Sequence, residues 1–200
     1  MNIPKLLICG HGSIDDPDGS IVYDVVLSHI ENIIPHLAAM ICVMQLGPSD
    51  QILNALLSKA RIVLQLSSRE GFEVKVSEAL HKGKPVIATR AGGIPLQLEH
   101  GRTGYLVDVG DTDSIARHLL ELWTNPDLYN RISAYALANV SDEISTVGNA
   151  LNWLFLSSKL SRRERIHPHQ EWIHDLVRRD LGQSYTTVDG KLKRFLPVAS

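Results

Sequence analysis

The most constraining feature of this sequence is an alternation between short apolar runs and longer stretches with helical spacing. The apolar runs are nearly continuous, as expected of parallel strands that are buried on both faces. Five such runs are present, at residues 5–9, 40–46, 61–67, 84–89 and 104–109. This alternation predicts an α/β fold, an open parallel sheet with helices on both faces.

Helices are predicted between the strands and beyond them. The predicted ranges are 20–34, 49–60, 74–83, 111–125, 126–140, 142–160 and 169–182. Ser49 or Asp50 is expected to cap the second of these helices, and Asp111 or Thr112 the fourth. Gly83 is expected to end the third helix. Strands stop after residue 126, so the carboxyl-terminal part is predicted to be helical, with a loose polar tail.

Composition and charge exclude several classes of function. The formal net charge of −2 and the 44% hydrophobic content are typical of a globular domain. We expect no nucleic-acid or membrane partner, because no strong field attracts either and no apolar run is long enough to span a bilayer. The start of the chain resembles a strand and not a signal peptide, so the cytoplasm is the predicted location. Cys9 and Cys42 lie in apolar runs and are predicted to be buried thiols.

A candidate ligand site follows the third strand. Glu70, Gly71 and Phe72 come directly after that strand, and ligands of open parallel sheets bind beyond the carboxyl ends of the strands. Gly71 lets the backbone approach a ligand closely, and the free amides at the start of the next helix favour a phosphate. Glu78 lies about one turn into that helix. Gly92 and Gly93 follow the next strand on the same rim.

The two glutamates narrow the ligand class. A carboxylate beside a phosphate repels it, so Glu70 and Glu78 are better suited to accept hydrogen bonds from the hydroxyls of a sugar or ribose. The pattern therefore favours a sugar phosphate or a nucleotide sugar. An alternative remains at this point, because glutamates near a helix start are also common as caps and surface charge. We expect no metal site and no cofactor, since the histidines at 167 and 169 lack a supporting cluster.

The motifs joined in order resemble a known family. They are "EGF" at 70–72, Glu78, "GKPVIAT" at 83–89, "GGIP" at 92–95 and "GRTGYLV" at 101–107. This series resembles the donor-binding region of retaining glycosyltransferases with the two-domain GT-B fold, over residues 1 to about 155. Together with "DDPDG" at 15–19, residues 64–87 are most similar to the trehalose phosphorylase and trehalose synthase branch, and especially to the fungal phosphorylases.

The resemblance implies a fold and a domain organisation. Residues 1–155 would form a Rossmann-like, doubly wound donor-binding domain, the C-terminal half of a GT-B fold, and residues 156–200 a helical extension and tail. The domain would be incomplete at its N-terminus, without its first strand, and the acceptor domain that precedes it in the family would be missing. The resemblance leaves open whether a partner chain supplies that domain and whether the chain forms a homo-oligomer.

The resemblance also implies an activity. The parent enzyme would be a trehalose phosphorylase, which cleaves trehalose with phosphate to glucose and α-glucose 1-phosphate. Two alternatives remain, a synthase that uses a nucleoside diphosphate glucose and a non-catalytic fragment that binds a sugar phosphate or nucleotide.

Roles for single residues follow from the same resemblance. Glu70 would be the catalytic residue and would hold hydroxyls of the donor glucose. The remaining predicted donor-binding residues are Gly71, Phe72, Glu78, Gly92, Gly93, Leu46 and Gly47. In the relatives that use a nucleotide sugar, Glu78 would bind the ribose, and Leu46 and Gly47 would hold the nucleobase through their backbone. A phosphorylase has no ribose, so the resemblance leaves the role of Glu78 open there. The family often has Gly where this chain has Glu73.

A missing first strand has a structural consequence. In the family the strand order resembles 3-2-1-4-5-6, so the first strand is central. The strands at 5–9 and 61–67 would then pair directly with each other or leave both of their edges unpaired. Either outcome predicts marginal stability or aggregation for the 200-residue chain.

Overall fold

The structure, a computed structural model, describes residues 3–10, 19–141, 143–167 and 173–182. Most of the "DDPDG" motif, the first residues of the helix predicted at 169–182 and the predicted tail lie outside these residues. The α/β class with parallel strands is confirmed. Contacts divide the chain into two compact units, Met1–Ala55 and Leu56–Ser200, which are described separately.

The first unit contains a two-stranded parallel sheet. Its elements are β1 (Leu6–Gly10), α1 (Gly19–Asn32), a 3-10 helix (Pro35–Met40) and β2 (Ile41–Gln45), and α2 (Asp50–Lys59) runs across the division between the units. Strands β1 and β2 pair from Leu6 opposite Ile41 to Gly10 opposite Gln45. Ser49 accepts a hydrogen bond at its Oγ from the Ile52 amide, so the predicted cap of α2 forms.

The expectation that every strand is buried on both faces is wrong for β1. Leu6, Leu7 and Ile8 are 41%, 39% and 38% exposed. The described residues of this unit form a sheet of only two strands, which offers too little neighbouring surface to cover these side chains. Cys42 on β2 is exposed for the same reason, and Cys9 is partly buried, so the prediction of buried thiols is wrong for Cys42.

The second unit contains a three-stranded parallel sheet in the order β3-β4-β5. Its sheet region consists of β3 (Val63–Gln65), α3 (Val74–His81), β4 (Val86–Thr89), α4 (Ile94–Gln97) and β5 (Gly104–Val107). Val86, Ile87 and Ala88 are fully buried. Successive side chains of a strand point to opposite faces, so the central strand is buried on both sides, as predicted.

Four further helices lie among the described residues of the second unit. They are α5 (Thr112–Thr124), α6 (Pro126–Asn139), α7 (Thr146–Ser161) and α8 (Ile173–Asp180). Ile87, Tyr105 and Val107 of the sheet form a buried cluster with Leu122 of α5 and Ile132 of α6. The sheet, α5 and α6 therefore share one core. The boundary predicted after residue 155 falls within α7 and stays a prediction.

Local signals placed several helix ends correctly. Asp111 caps α5 by accepting a hydrogen bond from the Ser114 amide at 3.0 Å. Pro126 occupies the first turn of α6. Gly83, just beyond α3, has a φ of +65°, and Gly182 beyond α8 has the same value. Both glycines end their helices in the left-handed conformation that glycine adopts most readily.

Strands β1 and β3 belong to separate sheets among the described residues. None of the helices in the described ranges combines the length and the apolar character that a membrane crossing requires.

Candidate functional site

The candidate site of the second unit consists of two loops beyond the ends of neighbouring strands. Residues 66–73 connect β3 to α3, and residues 90–93 connect β4 to α4. Because β3 and β4 are parallel neighbours, both loops leave the same edge of the sheet. The Thr89 hydroxyl at the end of β4 donates to the Ser67 carbonyl at 2.6 Å, which ties the start of the first loop to the second strand.

Gly92 and Gly93 allow the two loops to pack backbone against backbone. The Gly93 amide donates to the Gly71 carbonyl at 2.6 Å. A Cβ atom at Gly92 would lie 2.0 Å from the Glu70 carbonyl oxygen, and Gly92 has a φ of +52°. A Cβ atom at Gly93 would lie 3.0 Å from the Phe72 ring. The "GGIP" glycines are thus explained by close contact with the loop that carries Glu70.

Gln97 of α4 connects the 66–73 loop to α3 through its side-chain amide. Its amide nitrogen donates to the Phe72 carbonyl, and its amide oxygen accepts from the Ser77 hydroxyl of α3 at 2.6 Å. Ser77 is buried. One side chain therefore fixes both the start of α3 and the loop before it, which holds Gly71 and Phe72 in place.

Gln65, the last residue of β3, donates hydrogen bonds to the carboxylates of Glu70 and Glu73. Its amide nitrogen Nε2 lies 2.9 Å from Ser67 Oγ, 3.1 Å from Glu70 Oε1 and 3.3 Å from Glu73 Oε2. A glutamine amide has only two N–H donors, so three acceptors share two hydrogens. Glu70 and Glu73 are thus neighbours, and the Glu70 carboxylate is oriented by a residue of the strand rather than of its own loop.

The structure brings Glu70, Gly71 and Phe72 into contact with Gly92 and Gly93. A Cβ atom at Gly71 would meet no protein atom within 4 Å, so its backbone is open on that side. This opening is what close approach of a ligand to the Gly71 amide requires.

The other predicted donor-binding residues belong to other segments of the chain. Glu78 lies on an exposed face of α3, which starts at the same rim. Leu46 and Gly47 follow β2 in the first unit, where the Leu46 amide donates to the Gly10 carbonyl at 2.7 Å. Their predicted roles stay predictions.

Sequence reasoning missed four residues of the site, which are Gln65, Glu73, Ser77 and Gln97. A polar residue at the end of an apolar strand was the available signal for Gln65. Nothing local pointed to Gln97, since its partners Ser77 and Phe72 are 20 and 25 residues away along the chain. Among the described residues, no group of three His, Cys, Asp or Glu side chains could hold a metal ion.

The two glycine-containing loops and the oriented carboxylate lie at one rim of a parallel sheet, which is where open α/β domains bind their ligands. The glycosyl transferases group 1 family matches residues 34–138 of the chain, which is more than half of it. The chain belongs to this family. The resemblance noted from the "EGF" and "GGIP" motifs is confirmed.

Three curated relatives are informative. Trehalose phosphorylases from Grifola frondosa and Pleurotus pulmonarius are each 54% identical to the chain, over 194 and 193 residues. These matches cover 96% of the chain but 26% of each relative, so the chain spans about a quarter of their length. A trehalose synthase from Pyrococcus horikoshii is 33% identical over 136 residues, which is 68% of the chain and 32% of the synthase.

Solved structures of GT-B glycosyltransferases share the fold. Sucrose-phosphate synthase from Thermosynechococcus elongatus has a TM-score of 0.62 at 20% identity. The match covers 78% of this chain and 39% of the synthase chain. Anabaena HepE in complex with UDP has a TM-score of 0.63 at 20% identity, with 77% and 41% covered. At these identities the likeness concerns the fold alone.

Proposed function

We propose that the chain is the donor-binding part of a trehalose phosphorylase, the C-terminal portion of an enzyme that converts trehalose and phosphate to glucose and α-glucose 1-phosphate. The observation that carries this proposal is the 54% identity to fungal trehalose phosphorylases over 96% of the chain. Since the chain spans 26% of that relative, the acceptor side of the active site would come from another part of the enzyme.

The geometry of the two loops supports specific roles. The Glu70 carboxylate, held by Gln65, accepts hydrogen bonds from hydroxyls of the donor glucose. The backbone of Gly71 and Phe72 provides N–H groups for the phosphate. An oxygen of hydrogen phosphate bonds to glucose C1 as the bond from C1 to the bridging oxygen breaks. The hydrogen phosphate gives its proton to the bridging oxygen, which leaves as a hydroxyl of the second glucose. A rigid site lowers the barrier because it needs little reorganisation when charge moves to the departing group.

A second candidate is a synthase that uses a nucleoside diphosphate glucose. It is favoured by the match to the Pyrococcus horikoshii trehalose synthase and by the exposed position of Glu78, which a ribose could reach. In this case Leu46 and Gly47 would contact the nucleobase. A non-catalytic binding fragment is the third candidate.

A chimaera distinguishes the three. The matched segment of the Grifola frondosa enzyme is replaced by this chain, and release of glucose 1-phosphate from trehalose and phosphate is measured. We expect activity, a loss of about a hundredfold in turnover for Glu70→Gln, and no change for Glu99→Gln, an exposed carboxylate outside the loop pair. A folded chimaera that makes trehalose only from UDP-glucose would move the assignment to the synthase. One that does neither would favour the binding fragment.

A further inference from the structure

Glu73 has a backbone conformation that is unusual for its residue type. Its φ is +58° and its ψ +75°, in the left-handed region, and in the described part of the chain only Arg163 shares this property among non-glycine residues. Glycine adopts such angles freely, whereas a residue with a Cβ atom is strained there. Strained residues of this kind concentrate at functional sites. The surroundings of Glu73 therefore require an explanation.

The Glu73 carboxylate occupies the start of α3. Its side chain is only 9% exposed. Oε1 accepts from the Lys75 amide at 3.3 Å and pairs with Lys75 Nζ at 3.1 Å, and Oε2 accepts from Gln65. The amide and the cation that would attract an anion to this turn are thus already bound to a negative charge that belongs to the protein.

Glu70 adds a second negative charge nearby, because both carboxylates contact Gln65 Nε2. One cation, Lys75, is paired with Glu73. Residues 70–75 thus carry two carboxylates and one cation at a place where the Gly71 backbone is open, and Arg69 directly precedes them on the same loop. Such a turn favours hydroxyl groups and tolerates few additional anions.

We propose that Glu73 is a donor-specificity residue that selects against donors with two linked phosphates. The inference rests on the proposed function, in which the glucose is held at Glu70. A nucleotide donor with its ribose at Glu78 must place both phosphates between these two residues, along the first turn of α3 and past Glu73. Glucose 1-phosphate needs a single anion position beside Gly71. Like-charge repulsion by Glu73 thus weakens binding of the diphosphate donor more than binding of glucose 1-phosphate. Specificity of this kind comes from an unfavourable contact with the wrong ligand.

The test measures two affinities by calorimetry on the 200-residue chain, with glucose 1-phosphate and with UDP-glucose as probes. Glu73→Gln removes the charge and keeps the shape. Glu73→Gly also removes the backbone strain. Glu99→Gln is the matched control, since Glu99 contacts Arg102 and Tyr135 outside the loop pair. We expect both Glu73 variants to bind UDP-glucose about tenfold more tightly relative to glucose 1-phosphate, and the control to keep the ratio of the unmodified chain.

Each other outcome has a defined meaning. An unchanged affinity ratio in both Glu73 variants, with the unmodified chain binding glucose 1-phosphate, overturns the specificity role, leaves Glu73 as a helix cap and leaves the proposed function standing. Preference of the unmodified chain for UDP-glucose also overturns the specificity role. A chain that binds neither probe contradicts the proposed function, and the inference about Glu73 falls with it.

Discussion

Strands β1 and β4 have similar sequences but different surroundings. "LLICG" in the first unit and "VIAT" in the second are both short apolar runs. Yet Leu6, Leu7 and Ile8 are 38–41% exposed, whereas the β4 side chains are buried. The difference lies in the neighbours, because β4 is flanked by strands on both edges and contributes to a core with α5 and α6, while β1 pairs with β2.

The comparison teaches that an apolar run predicts a strand but does not predict its burial. Backbone hydrogen bonding requires one neighbouring strand, which β1 has. Burial requires layers of side chains on both faces, and these come from distant parts of a chain. The first unit should therefore be the less stable of the two.

The largest expected effect tests this difference directly. Ile87→Ala in β4 should destabilise the second unit by about 3 kcal/mol, since it leaves a cavity in the buried cluster. Leu7→Ala in β1 should cost about 1 kcal/mol or less, since Leu7 is partly exposed already. Hydrogen exchange by mass spectrometry follows each unit through its own peptides. Equal losses for the two substitutions would contradict the comparison.

An intermediate effect concerns the attachment of α6 to the sheet region. The Ser133 hydroxyl donates to the Gly83 carbonyl at 2.6 Å, across 50 residues of sequence. Ser133→Ala should lower the free energy of unfolding of the second unit by about 1 kcal/mol. Exchange in peptides of β1 and β2 should not change. If the β1 and β2 peptides lose as much exchange protection as the α3 peptides, the two units do not unfold separately, which would contradict the comparison.

The smallest effect is pH dependence at the start of α5. Hydrogen bonds from Ser114 hold the pKa of the Asp111 carboxyl below its ordinary value of 3.8. A lowered pKa in the folded state means that the stabilisation is complete above pH 3.8 and is lost as the pH falls through the folded value. The melting temperature of Asp111→Ala should therefore lie below that of the unmodified chain at pH 6, by a gap that narrows below pH 3.8.

Asp111→Asn is the control for this prediction. Asparagine keeps the capping hydrogen bond without the charge. The difference in melting temperature between Asp111→Asn and the unmodified chain should therefore depend less on pH. A gap for Asp111→Ala that is constant from pH 6 to pH 3 would exclude the carboxylate charge as its cause.

Much of the fold could be predicted because it depends on local signals. Apolar runs located the five strands of the described residues. Asp111 marked a helix start through its side-chain carboxylate, and Pro126 and Gly83 marked helix ends through their backbone conformations. The 3-10 helix at Pro35–Met40 and the four-residue α4 were missed, because neither is long enough to show a helical period.

The site was predictable only in part. Glu70, Gly92 and Gly93 stand out as motif residues, and the structure places their loops in contact. Two features could not be predicted, the contact of Gln65 with two carboxylates and the hydrogen bond between Gln97 and Ser77. Both depend on how segments that are separate in the sequence pack together, and a short stretch of sequence does not show this. The left-handed conformation of Glu73 was not predicted, since a glutamate does not itself indicate positive φ, although the Gly that the family often has at this position was an available signal.

The central claim is that the loop pair 66–73 and 90–93 forms the donor site, and two glycines test it most directly. Gly92 and Gly101 both have positive φ, at +52° and +77°, but an added Cβ atom meets the Glu70 carbonyl only at Gly92 and open space at Gly101. Calorimetric binding of glucose 1-phosphate should be lost in Gly92→Ala, which displaces Glu70, and retained in Gly101→Ala at a similar cost in backbone strain. Equal affinity in both variants would contradict the claim and place the ligand elsewhere.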